Sequence, residues 1–246
     1  MARYLLTISY LGTNFCGWQV QPNGITVQAE ICAALNKIFK TQINVSGCSR
    51  TDSGVHAKMF CCHFDVDTNM NSKQIIEAIN HNTNDDVTAI DCKQVPDDFH
   101  ARYSCVKKNY VYRICNAPYP NPFEKDRALW YRYPLDINKM DSAAKLFIGK
   151  HDFSAFCSSG STVIDKVRTV HNCTIIKNDD IIEISITADG FLYNMVRIIV
   201  GTLIEIGSGK RPENDILKAL DTGNRNYAGV TAVPHGLYLN KVIYEE

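Results

Sequence analysis

The sequence lacks any surplus of charge. Its 246 residues hold 26 Lys+Arg and 26 Asp+Glu, a formal net charge of zero at pH 7. A dedicated nucleic-acid binder is usually basic as a whole, so any case for RNA must rest on local charge. There is no CxxC pair, although the chain has ten cysteines. Neither a zinc framework nor a thioredoxin-type redox motif is indicated. The cysteines are scattered among apolar residues and read as buried thiols of a reducing cytoplasm. No apolar run reaches membrane-spanning length. The longest candidate, Met195 to Ile206, is broken by Arg197, Gly201 and Glu205, so no membrane association is expected. Met1 to Thr7 opens with a strand-like pattern and lacks the basic-then-apolar layout of a signal peptide. The expected location is the cytoplasm. What the chain does have is 45% hydrophobic and 21% charged residues, ordinary for a folded protein of one large or two modest domains.

Periodicity gives the organisation. Arg3 to Tyr10 reads as a strand, and Leu11 to Gly24 as a loop rich in Gly, Asn and Pro. Thr26 is a plausible N-cap for an amphipathic helix over Val27 to Phe39, with Ile31, Leu35, Ile38 and Phe39 on one face. Ile43 to Cys48, Met59 to Val66 and Val87 to Val95 read as strands, and Ser72 to Asn82 as a helix. The order β-α-β-β-α-β is the split βαβ, or ferredoxin-like, unit. The second half repeats this plan less cleanly. Its strands are expected over Val106 to Cys115, Leu129 to Tyr133, Ile164 to Ile176, Ile181 to Ala188 and Gly236 to Tyr244. Its helices are expected over Ile137 to Phe147, capped by Asp136, then Phe191 to Ile206 and Pro212 to Asp221. The expected fold class is therefore α+β: two pseudo-symmetric ferredoxin-like halves, residues 1–105 and 106–246. Their mostly antiparallel sheets are expected to join side by side, with a cleft between the halves as the site.

The densest polar cluster is Ser49-Arg50-Thr51-Asp52-Ser53-Gly54-Val55-His56, on a turn between two expected strands. Such a turn presents side chains outward from a rigid sheet, as a catalytic loop must. Asp52 is its only carboxylate. Taken alone, the cluster reads first as a hairpin turn with a self-capping Asp. Arg197 lies in an apolar helical stretch, where a buried guanidinium needs a partner. Gly201, Gly207 and Gly209 near Lys210 match no phosphate-binding spacing and read as a helix end.

As a string, Arg50-Thr51-Asp52-x-Gly54-Val55-His56-Ala57 resembles the signature of the TruA-type tRNA pseudouridine synthases. Gly17-Trp18-Gln19 with Gln28 is similar to that family's opening. Phe99-His100-Ala101-Arg102 and Tyr110-x-Tyr112 are similar to its central motif. His151-Asp152-Phe153-Ser154-Ala155-Phe156 with Arg168 resembles its second-half motifs. Phe191-Leu192-Tyr193-x-Met195-Val196-Arg197 and Gly236-Leu237-Tyr238-Leu239 resemble its last two. The resemblance covers nearly the whole chain. It implies conversion of uridine to 5-ribosyluracil without metal or cofactor, a step in which an aspartate acts as nucleophile or base.

Carried over by position, Asp52 is the catalytic residue and Arg197 the guanidinium that favours its ionised form. Tyr110 is then the ring that stacks on the extracted uracil. Arg50 enters the RNA helix and helps hold the base out, because the target atoms are inaccessible in a stacked stem. His56 is grouped with the RNA-facing residues, although a histidine at such a place more often orients a loop. Arg102, Lys107, Lys108 and Arg168 are expected to follow phosphates, with Arg113, Lys166, Lys210 and Arg211 as further candidates. The implied partner is the anticodon stem-loop of tRNA, at positions 38 to 40, bound by a homodimer. Ser49 stands where the family commonly has Gly, and Asn109 in a stretch often more basic. Both bear on the RNA target, and a paralogue acting on another tRNA position or on ribosomal RNA is the alternative. The alternatives of another class are a ferredoxin-like pair that grips RNA without modifying it, and a small-molecule hydrolase or lyase using Asp52 and His56.

Overall fold

The computed structural model describes residues 1–245. Its strands and helices in chain order are β1 (Ala2–Tyr10), α1 (Val27–Phe39), β2 (Ser46–Gly47), β3 (His56–Val66), α2 (Ser72–Asn82), β4 (Val87–Val95), β5 (Cys105–Cys115) and β6 (Leu129–Trp130). They continue with α3 (Ile137–Lys145), β7 (Gly149–Asp152), β8 (Val167–Asn178), β9 (Ile181–Ala188), α4 (Met195–Gly207), α5 (Asp215–Thr222) and β10 (Leu237–Tyr244). The class is α+β, as expected, and the pairing is mostly antiparallel. The chain divides into two compact units. One comprises Met1–Val106 with the C-terminal stretch that begins at Tyr238, and the other is Lys107–Leu237.

In the first unit β1 lies between β4 and β3, antiparallel to both. The outer edge of β3 is shared. Its first residues pair in parallel with β10 (His56 with Tyr238, Ala57 with Leu239), and Cys62 and His63 pair with β2. The two helices start where local chemistry dictates. Thr26 Oγ1 accepts from Ala29 N–H at 3.4 Å to cap α1. Asn71 and Gln74 form a reciprocal capping box on α2, at 2.9 and 3.0 Å, which satisfies two otherwise orphaned donors. Ile31, Leu35, Ile75 and Ile79 are fully buried, as are Leu6, Ile8, Phe60 and Phe64 on the strands. Across the sheet Arg3 clasps Asp65 with two bonds, at 2.7 and 2.8 Å, and the guanidinium holds that carboxyl below its usual range.

In the second unit β9 lies between β5 and β8, with β7 antiparallel on β8 and β6 parallel on β5. The β8–β9 hairpin turns through Asp179 at φ +50. Asp136 caps α3, accepting from Lys139 N–H at 3.1 Å. Helix α4 is buried along eleven of its thirteen residues; the two that are not are its charged ones, Arg197 and Glu205. Among the described residues no helix is long and apolar enough to cross a membrane.

Several expected boundaries shift for identifiable reasons. The strand expected over Ile43 to Cys48 shrinks to Ser46–Gly47. Asn36 Oδ1 takes the Ile43 N–H at 2.7 Å, and Gln28 Nε2 donates to the Val45 carbonyl at 2.8 Å. Side chains thus occupy the backbone groups a ladder would use. The strand expected over Leu129 to Tyr133 ends at Trp130, because Asn116 Nδ2 takes the Tyr131 and Tyr133 carbonyls. Helix α4 starts at Met195 rather than Phe191, because Asn194 is left-handed at φ +60. Helix α5 starts at Asp215 rather than Pro212. Asp215 and Ile216 reach back only three residues, to Pro212 and Glu213, so this turn is tighter than α. The β8 strand starts at Val167 rather than Ile164 and ends at Asn178.

Candidate active site

Asp52 sits half-buried between Thr51, which is buried, and Ser53. A preceding strap, residues 12–18, fastens this loop to the first unit. Trp18 N–H donates to the Thr51 carbonyl at 3.1 Å and Gly54 N–H to the Phe15 carbonyl at 3.4 Å. Ser53 Oγ also donates to Phe15 O, at 3.2 Å, and the Tyr10 hydroxyl meets Thr51 Oγ1 at 2.8 Å. The approach is too close for side chains. A Cβ on Gly17 would stand 2.5 Å from Thr51 O, and one on Gly12 would stand 2.0 Å from Val55 O. Gly17 also has φ +86, a conformation other residues resist. The strap is anchored in turn. The first α1 amides donate to the Gly17 and Trp18 carbonyls, at 3.2 and 3.0 Å. The Trp18 indole stacks on Phe60 with centroids 4.1 Å apart.

His56 is fully buried. Its Nδ1 accepts from Gly12 N–H at 2.9 Å, and its ring lies 4.7 Å from that of Tyr238. Its position is that of a loop-holding residue, not of an RNA-facing one, because no part of the ring is left for solvent. Arg50 and Lys58 are exposed on either side of Asp52, with Lys58 Nζ 5.8 Å from the Tyr238 ring.

The Phe99-His100-Ala101-Arg102 stretch forms a tight turn on the same unit. Ala101 N–H donates to His63 Nδ1 at 3.1 Å, and Tyr244 OH donates to the Ala101 carbonyl at 2.8 Å. His100 Nδ1 accepts from the Arg102 and Tyr103 amides at 3.1 and 3.4 Å. Burial, with His100 and Arg3 close by, pulls the His63 imidazole down to about 4. It is therefore neutral at physiological pH and able to accept.

In the second unit Tyr110 is buried on β5, edge-on to Phe191 with centroids 5.0 Å apart. Tyr112 is fully buried, and its hydroxyl donates to Val233 O at 2.8 Å. Burial pushes that phenol up, and Arg197 partly offsets the shift. Arg197 is half-buried and firmly oriented. Its Nε donates to Ala232 O at 2.7 Å and its Nη1 to Asn194 Oδ1 at 2.6 Å, while its own carbonyl accepts from Ala232 N–H at 3.1 Å. Residues 228–233 thus form a second strap, laid along α4. A Cβ on Gly201 would stand 1.8 Å from Val230 O, and Gly229 N–H donates to Thr202 Oγ1 at 2.8 Å. No local pattern announces this strap; only the small residues Gly201 and Gly229 hint at a close approach.

The expected cations divide. Arg102 is exposed, while Lys107, Lys108 and Arg168 are half-buried; Arg168 donates to the Asp165 carbonyl at 3.1 Å. Two further candidates are engaged in ion pairs. Arg113 is bound to Glu124 at 2.8 Å and approaches Glu183 at 3.4 Å. Arg211 is bound to Glu205 at 2.8 Å and Asp215 at 3.1 Å, with all three side chains less than a fifth exposed. Asn109 donates to Ser185 Oγ and Thr187 Oγ1, both at 2.9 Å, and so serves the β5–β9 ladder. All ten cysteines are free thiols. Burial holds Cys92 and Cys173 up at about 12, which leaves them protonated and unreactive. Among the described residues no group of three or more His, Cys, Asp or Glu is placed to hold a metal ion.

Comparison with known proteins places this chain among the RNA uridine-to-pseudouridine isomerases. A family model described as tRNA pseudouridine synthase matches residues 6–104 and 143–245. The tRNA pseudouridine synthase A of Thermoanaerobacter sp. (strain X514) is 44% identical over 244 residues, covering 99% of this chain and 100% of that protein. The tRNA pseudouridine synthase A 2 of Clostridium perfringens is 42% identical over the same length, covering 99% and 100%. One solved structure, a Cbf5-Nop10-Gar1 complex, aligns over 96% of this chain and 48% of its own at 10% identity, with a TM-score of 0.40. The chain belongs to the tRNA pseudouridine synthase family.

Proposed function

We propose that this chain isomerises uridines in the anticodon stem-loop of tRNA, as a cytoplasmic homodimer, with Asp52 as the catalytic carboxylate. The observation that carries the residue assignment is the fastening of the Asp52 loop. Four bonds and two forbidden Cβ positions hold its backbone, while the carboxylate-bearing residue itself stays half-buried. A backbone fixed in advance needs no reorganisation when the reacting nucleotide arrives.

In the reaction the bond from C1′ to N1 of uracil breaks, the base turns, C1′ joins C5, the C5 proton leaves to water, and N1 takes up a proton from water, so that the product is an isomer of the substrate. Asp52 assists as nucleophile or base. Tyr110 offers a ring to the uracil from a β-strand that fixes its place. Arg197, its guanidinium held by Ala232 and Asn194, is assigned to favour the ionised Asp52; this pairing is carried over from the family resemblance. Arg50, exposed at the edge of the loop, takes the place of the extruded base. The tRNA substrate is supported by the relatives, which are tRNA pseudouridine synthases.

The test is tritium release from tRNA transcripts labelled at uridine C5. Wild-type protein is expected to release tritium, and Asp52→Asn to lose roughly a thousand-fold or more of the rate, the scale of removing a nucleophile, with an unchanged melting temperature. Mapping of the product pseudouridines identifies the stem-loop. A fully active Asp52→Asn protein refutes the assignment.

A further inference from the structure

The turn at His100–Tyr103 is built more firmly than a solvated loop requires. His63 and His100 each place Nδ1 on backbone amides, at 3.1 to 3.4 Å. Ser104 Oγ accepts from His100 N–H at 3.0 Å, and Tyr244 OH caps the Ala101 carbonyl at 2.8 Å. What this frame presents is an aromatic ring 76% exposed, that of Tyr103, with the Arg102 guanidinium 5.8 Å from its centroid and His100 packed 4.3 Å behind it. An exposed ring beside a guanidinium is the chemistry that grips a nucleotide: the ring stacks on a base, and the cation meets a phosphate or adds a cation–π contact. Fixing both beforehand removes the ordering cost of binding.

Position decides which nucleotide. Ala101 is fastened to His63, which lies seven positions beyond His56 on β3. At about 3.3 Å per residue, the turn stands roughly 20 Å along the strand from the Asp52 loop. That is beyond the reach of the nucleotide being modified. We propose that the His100–Tyr103 turn is a second RNA contact, with Tyr103 stacking on a base and Arg102 holding a phosphate outside the hairpin that contains the target uridine. This inference rests on the tRNA-substrate reading above. Tyr and Arg also anchor protein interfaces. RNA is favoured because Lys107 and Lys108 lie four and five residues beyond Tyr103 in the chain. His63 and His100 are positioning residues in this account.

The experiment compares full-length tRNA transcript with the isolated anticodon hairpin, measuring KM by tritium release and Kd by filter binding. Because Tyr103 is exposed, its substitution leaves the fold intact, as melting temperature will check. Tyr103→Ala is expected to raise KM and Kd for full-length tRNA by about five- to a hundred-fold, the range for one stacked base, with the loss in KM rather than kcat. Values for the hairpin stay within about two-fold, since one lost stacking contact affects only RNA that reaches the turn. Tyr103→Phe restores binding and Tyr103→Leu does not. His100→Leu follows Tyr103→Ala, whereas His100→Asn, which keeps an acceptor, recovers. Three results overturn the proposal: an unchanged Kd for full-length tRNA, which assigns the turn to a protein partner; an equal loss on the hairpin; or full rescue by leucine. A wild-type protein that releases no tritium sinks the enzymatic reading instead, and the Kd comparison stands apart from it.

Discussion

The Asp52 loop and helix α4 solve the same problem in opposite ways. Each must hold a charged side chain in place, and each does so with a backbone strap laid against glycine. In the first unit the strap of residues 12–18 secures an irregular loop, and the bonds go to the backbone and neighbours of Asp52. In the second unit the strap of residues 228–233 secures a regular, buried helix, and the bonds go to the Arg197 guanidinium itself. One arrangement fixes the platform that carries the side chain. The other makes the side chain part of the lock. Damage to the first should therefore appear mainly in catalysis, and damage to the second mainly in stability.

The largest effects test that contrast directly. In Gly201→Ala the new methyl would stand 1.8 Å from Val230 O. Both partners are backbone, one in a buried helix, so neither can yield cheaply, and a loss of about 3 kcal/mol or more in denaturant unfolding is expected. Gly17→Ala meets Thr51 O at 2.5 Å and is strained at φ +86. Its neighbours are loop backbone that can shift, so the expected stability loss is smaller, about 1–2 kcal/mol. That shift moves Asp52, and kcat should fall about a hundred-fold, as misplacement of this order does. If Gly17→Ala unfolds the protein while Gly201→Ala merely slows it, the comparison is reversed.

The contrast also explains what could be read in advance. Helices α1 and α2 and strands β4 and β9 have the expected bounds because caps and periodicity are local. Strand β2 is shorter than expected because Asn36 and Gln28, well upstream, take the backbone groups of Ile43 and Val45. The first strap carries Gly17-Trp18-Gln19, which stands out in the sequence as a motif within a loop, though not as a fastening for Asp52. The second, Ala228 to Val233, is a run of small residues whose meaning depends on Gly201, far away in the chain. The pairing of Arg113 with Glu183 was hidden for the same reason, because the sheet brings them together, whereas Arg211 pairs with near neighbours in the chain, Glu205 and Asp215, across the turn between α4 and α5. Asp52 alone resembled a self-capping turn residue, and only the surrounding string singled it out.

A smaller effect separates the two units by pH. His63 has a folded-state value of about 4 against an ordinary 6.5. The unfolded chain therefore takes up a proton first as pH falls. The contribution of His63 to stability is complete above pH 6.5, declines between 6.5 and 4, and is constant below. The loss is at most about 3 kcal/mol, from 1.36 kcal/mol per pKa unit. Asp65, whose carboxyl is held low by Arg3, loses its contribution only at still lower pH. Hydrogen exchange should show the amides around Ala101 opening as pH falls from 6.5 to 4, while those of α4 keep their protection once the intrinsic pH effect is removed. His63→Asn, which retains an acceptor, should flatten the slope; an unaltered slope would assign it to other groups.

The finest comparison uses one substitution twice. Tyr10→Phe removes a hydroxyl that meets Thr51 Oγ1 at 2.8 Å, and Tyr112→Phe removes one that meets Val233 O at 2.8 Å. The bonds match in length, although the one at Thr51 is buried and the one at Val233 only partly so, and each loss should cost about 1 kcal/mol of stability. Their catalytic consequences should differ. Tyr10 steadies the residue next to Asp52, in a loop with no regular secondary structure to hold it otherwise. Tyr112 steadies the residue next to Ala232, but Arg197 keeps its bonds to Ala232 and Asn194 and its place in α4. A drop in kcat of several-fold is expected for Tyr10→Phe, where the geometry of the proposed catalytic carboxylate loosens, and less than about two-fold for Tyr112→Phe. Equal drops at equal stability would mean that the guanidinium is no more firmly held than the carboxylate, and that the side chain in the second unit gains nothing from being part of its own lock.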